Sequence, residues 1–143
     1  MIAELKKTYF VFLIPSIMGF ILVYGAKACD LFRIEKVENV EIVAPFIFIS
    51  CTVLAIALPI FCRTIFAHKN RDKVNVSEVD LIKFERYLIR ITMVTPYLAL
   101  SAYVLELSHF YTSGAFLMGL YAIYYFYPSE KRLALDRCIF RVK

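Results

Sequence analysis

Apolar residues run almost unbroken through residues 8–26, 42–62, 87–105 and 108–127, and charge returns only in the short segments between. Arg90 is the one formal charge inside any of the four. They hold 19, 21, 19 and 20 residues. A hydrocarbon core about 30 Å thick takes roughly 20 helical residues at about 1.5 Å each. The pattern therefore predicts an all-α membrane protein: one domain over residues 1–143, built as a four-transmembrane-helix bundle, with a tail at 128–143.

The polar positions refine the elements. Ser77 followed by Glu78, Val79 and Asp80 is a capping-box pattern, so the third helix is expected to start near residue 78 and run unbroken to 105. Val79, Ile82, Arg86 and Ile89 would line one side of its first turns, with Lys83, Glu85 and Arg86 keeping that extension wet. Only residues 106–109 separate spans three and four, which predicts a tight hairpin, with Glu106 beside His109. In the tail, Ser129 is a candidate cap. Leu135, Cys138, Ile139 and Val142 fall at one-stripe helical spacing. In residues 27–41, Leu31, Ile34, Val37 and Val40 recur every third position, which fits a surface helix, while Phe32 and Ile34 with Val40 and Ile42 suit extended chain. Tyrosines crowd the end of the fourth span, as at a membrane–water boundary.

Charge then orients the bundle. The chain carries 17 Lys and Arg against 12 Asp and Glu. With the N-terminus inside, 13 of the basic residues fall on the inner side and three on the outer. Short loops rich in Lys and Arg stay cytoplasmic, so an N-in/C-in bundle in a cell inner membrane is expected. That accounts for the net charge of +5 without nucleic acid. A cleaved leader ending near Ala28 is the competing reading; a 19-residue apolar run exceeds the usual signal core of about 7–15.

Candidate chemistry is sparse. The four cysteines, Cys29, Cys51, Cys62 and Cys138, fall at different depths, and His68 and His109 fall on opposite sides. Neither set makes a thiol relay, a haem site or a zinc site, so no cofactor and no metal is expected. Enzymes at membranes leave clustered polar residues, and none is apparent, so a non-enzymatic protein is expected. Small-xxx-small pairs occur at Cys51–Ala55, Thr95–Ala99 and Ala115–Gly119, a spacing that brings helices close in lipid.

The resulting expectation is a protein acting through helix–helix contact with a membrane protein partner or a second copy. Its role would be of an accessory, assembly or immunity/exclusion type. Candidate contacts are Arg90, Thr95, Ala99, Ala115 and Gly119. Arg132, Arg137 and Arg141 are expected to meet anionic headgroups as a membrane-surface tail. The alternative is a small transporter or channel-like oligomer built on Arg90 and a kink at Pro96.

Overall fold

The computed structural model describes residues 2–29, 31, 40–71 and 76–140. Its helices are α1 (Ile2–Ala28), α2 (Val40–Thr52), a π-helical stretch (Val53–Ala57), α3 (Leu58–Lys69), α4 (Glu78–Thr92), α5 (Thr95–Val104), α6 (His109–Tyr125) and α7 (Glu130–Ile139). Three rods are long and apolar enough to cross a membrane: Ile2–Ala28, Glu41–Lys69 and Glu78–Val104. The described residues are thus all-helical, with rods of the length and apolar character that a membrane requires. The fourth apolar run forms α6, 17 residues or about 26 Å long, slightly short of a full hydrocarbon core. The periodic stripe through residues 31–40 lies mostly outside the described residues.

Proline shapes two of the rods. Pro59 has no N–H to offer the carbonyl four residues back, and the π-helical turn falls immediately before it. The rod nonetheless continues seven residues past the expected end at 62, carrying Arg63 into α3. The third rod is interrupted, contrary to the unbroken helix expected. Ahead of Pro96 it tightens at Met93–Val94, where Val94 N–H bonds the Ile91 carbonyl at 3.2 Å. Thr92 turns its hydroxyl back onto the Leu88 carbonyl.

The hairpin between α5 and α6 closes as its length requires. Glu106 N–H bonds the Tyr103 carbonyl at 3.4 Å and Leu107 N–H the Ala102 carbonyl at 3.3 Å. This is a Schellman closure, with Glu106 in the left-handed region at φ 52° where glycine is usual. The Glu106 carboxylate pairs with Lys27 at 3.0 Å, not with His109.

α5 is the centre of the bundle, packed by α6, α2 and α1, while α1 also lies along α4. Two ionic rungs pin α1 to this rod: Glu4–Arg86 at one end and Lys27–Glu106 at the other. Glu4 and Lys27 lie about 34 Å apart along the helix, close to the thickness of a hydrocarbon core. Between the rungs the outer faces are apolar: Val11, Ile14, Met18, Phe46, Phe61 and Leu117 are all more than half exposed. Water-soluble proteins rarely leave so much contiguous apolar surface uncovered; lipid covers it without cost.

Inside, two cores stack along the rods. One joins Ala44, Cys51, Ala99, Ala102, Leu107 and Ala115, so small side chains let α2, α5 and α6 approach closely. The other joins Leu5, Tyr9, Leu88, Ile89, Met93, Phe126 and Leu133 near the polar end. Tyr9 and Tyr97 bridge helices by donating to the Ile123 and Phe12 carbonyls at 2.8 and 2.6 Å.

Candidate functional site

Two features stand apart from ordinary packing: a groove along the apolar rods and an ionic cluster at their polar end. The groove follows from helix order. α1 packs on α4 and α5 but barely on α6, which leaves a cleft of about 1080 Å³ between α1 and α6. Leu13, Ile17 and Ile21 form one wall, Phe116, Leu117 and Leu120 the other, and Ser16 and Ser113 add hydroxyls. Pro96, Ala99 and Gly119 make the floor. A Cβ built on Gly119 would lie 3.5 Å from the Ala99 Cβ and 3.6 Å from the Pro96 Cα, so the floor is low because its residues are small.

The small residues singled out in the sequence therefore serve internal packing first. Thr95, Ala99, Ala115 and Gly119 are all buried within the chain, and only Ala99 and Gly119 also reach the groove. The Thr95 hydroxyl is buried with no hydrogen-bond partner. Arg90 is exposed and lies outside the groove, so the structure does not join Arg90 and Pro96 in one site. Its long side chain can reach from the apolar stretch to headgroups.

Sequence reasoning missed the ionic cluster. Glu85, expected to be wet, is 3% exposed, and Asp136 is fully buried. Arg63 reaches both, at 3.5 Å to Glu85 and 3.2 Å to Asp136. Arg132 reaches the same two, at 3.2 and 3.7 Å. It also donates to the Tyr125 carbonyl at 2.7 Å and lies over the Phe126 ring at 4.8 Å. The four charges come from α3, α4 and α7 and sum to zero.

These pairs fold the tail back. Ser129 caps α7, accepting from Arg132 N–H at 3.3 Å, and Arg137 pairs with Glu78 near the start of α4. Phe140 sets its edge against Phe66 at 5.0 Å, and Phe66 stacks on Phe84 at 4.2 Å. The inward face of α7 is thus Leu133, Asp136 and Phe140, while Leu135, Cys138 and Ile139 point outward. Arg132 and Arg137 both hold carboxylates of α4, in addition to any headgroup contact, and Arg141 lies outside the described residues. On α4 the buried face is Leu81, Glu85, Leu88, Ile89 and Thr92; Val79 is 58% exposed.

Glu85 lies in the polar extension of its rod, before the apolar run that begins at residue 87. Burial pushes its carboxyl up to about 6; Arg132 and Arg63 oppose the rise and neighbouring Asp136 adds to it. Among the described residues no group of His, Cys, Asp and Glu is arranged to hold a metal ion, and the four cysteines are unpaired. No family model, curated protein or solved structure matches the chain.

Proposed function

We propose that this chain is a non-enzymatic adaptor of a cell inner membrane that seats a transmembrane helix of a larger membrane protein in the groove between α1 and α6. On this reading α6 is a fourth span and both termini are cytoplasmic, as the excess of Lys and Arg in the inner segments favours. The groove carries the reading: about 1080 Å³ of apolar cleft along the rods, with small residues as its floor.

A helix suits this cleft better than a lipid chain does. Small residues let helix backbones approach, and hydroxyls bond across helices in a medium with no water to compete. Pro96, Ala99 and Gly119 provide the first feature, Ser16 and Ser113 the second. A saturated acyl chain makes no use of a hydroxyl. Arg90, exposed near the polar end of its rod, is placed to meet an acidic residue flanking the partner's span.

Photo-crosslinkers placed at Ile17 and Leu117, in native membranes, test this reading. Both should capture the same larger protein, and crosslinkers at Phe46 and Phe61, exposed outside the groove, should not. Capture of lipid alone, of a second copy alone, or of the same bands from all four positions would overturn it.

A further inference from the structure

We propose that a polar cavity at the root of α7 binds the phosphate of an anionic phospholipid. The cavity measures about 590 Å³ and is lined by Arg63, Arg132, Lys131, Ser129, Asp136 and the tyrosines that close α6. It does not depend on the groove or on any partner helix.

The ionic cluster sums to zero but is polarised. The arginine side chains are 25% and 16% exposed, their carboxylate partners only 4% and 1%. The arginines are thus the more open members of the cluster; Glu85 lies behind them, and Asp136 lines the cavity at its buried end. Exposed Lys131 adds a third cation from the first turn of α7, and Glu130 beside it is also exposed. Arg63 Nε and Asp136 Oδ1 are both buried without a hydrogen-bond partner, so the exposed guanidinium edges and Lys131 are the groups left to meet a ligand oxygen. The free amides and positive pole of the capped α7 N-terminus lie on the same side. Planar guanidinium donors beside a helix N-terminus suit a phosphate's oxygens.

The rim selects a lipid as the source of that phosphate. Tyr124 is 86% exposed and Leu135 60% exposed, and both line the cavity. Aromatic rings at the end of an apolar rod mark headgroup depth, where a phospholipid phosphate sits with its glycerol and acyl chains passing over Tyr124 and Leu135. A freely dissolved phosphate gains nothing from such a rim.

The test uses the full chain in phosphatidylcholine nanodiscs titrated with phosphatidylglycerol, with retained lipid counted by native mass spectrometry. One phosphatidylglycerol should be held by the native chain. Lys131→Glu, an exposed change outside the ion cluster, should weaken its retention about 30-fold, because a cation on the cavity wall beside the phosphate becomes an anion. Arg63→Lys keeps the cluster's charge but loses the guanidinium fork and should cost about fivefold. The same reversal at exposed Lys83 on α4 should stay within about twofold, because it changes bulk attraction without touching the cavity. Equal losses for Lys83→Glu and Lys131→Glu, or phosphatidylcholine held as well as phosphatidylglycerol, would overturn the site. Inorganic phosphate displacing the lipid at equal concentration would overturn the lipid assignment.

Discussion

Replacing Asp136 by Asn removes one of two buried carboxylates that face two partly exposed arginines. Asp136 has no exposed surface, and its partners stand at 3.2 and 3.7 Å. Breaking a fully buried ion pair on one side costs roughly 3–5 kcal/mol, because the remaining charge stays buried without compensation. Here Arg63 and Arg132 keep 25% and 16% exposure, so water recovers part of that, and the cost should be about 2–3 kcal/mol. No other helix packs closely along α7, which is held through its side chains, so the loss should appear as local opening of that helix. Amide hydrogen exchange in detergent reads this directly. Protection across Leu133–Ile139 should fall about 30- to 150-fold, while α5 and α6 change little. Arg63→Gln combined with Asp136→Asn removes a cation with its anion, and the double variant should regain at least about 1 kcal/mol over the sum of the singles. Protection of α7 within threefold of native, or strict additivity, would refute the view that this cluster docks the tail.

Three further outcomes follow from local geometry. Gly119→Ala finds 3.5 Å of clearance over Ala99 and removes a helix-interior glycine, so it should stabilise the bundle by up to about 1 kcal/mol, whereas Gly119→Leu should destabilise it by more than about 2 kcal/mol; mixed-micelle denaturation separates the two. Glu106→Gly relieves a left-handed residue worth about 1–2 kcal/mol and gives up an exposed pair with Lys27 worth at most about 1 kcal/mol, so the net change in the same assay should be zero to slightly stabilising. Glu85 holds its proton more tightly folded than unfolded, so its contribution to stability is present below about pH 4.5 and is lost as pH rises through about 6. That amounts to about 2 kcal/mol, and the stability difference between Glu85→Gln and the native chain should grow by that amount between pH 4.5 and 7; a flat difference would show that burial does not raise this carboxyl.

The apolar runs revealed the rods because lipid imposes a length and forbids charge, and both constraints act on contiguous residues. The caps at Ser77 and Ser129 were readable for the same local reason, each hydroxyl accepting from the N–H three residues on. The break at Met93–Val94 had its signal in Pro96, although the span could equally have kinked without interruption. The ionic cluster was hidden because its members are spread from residue 63 to 136 and each has Lys or Arg nearby, which reads as a solvated surface. One trace was present. Glu85 falls on the same helical face as Leu81, Leu88 and Thr92, a carboxylate interrupting an apolar stripe. Its partners could not be named, because the return of α7 onto α4 is a tertiary event. In the tail the apolar stripe through Leu135 and Ile139 points outward, and the face turned to the protein, which carries Asp136 between Leu133 and Phe140, had no apolar periodicity to reveal it.

The native cysteines offer the most direct test of a membrane bundle with its tail docked on the inner side. Cys29 and Cys138 are both exposed, at the end of α1 and on α7 respectively. Intact cells expressing the unaltered chain are treated with a membrane-impermeant maleimide, and the chain is recovered from the membrane pellet. The account requires labelling at Cys29 alone, with Cys138 reacting only after permeabilisation. Labelling of Cys138 from outside, or recovery of the chain in the detergent-free supernatant, would contradict it.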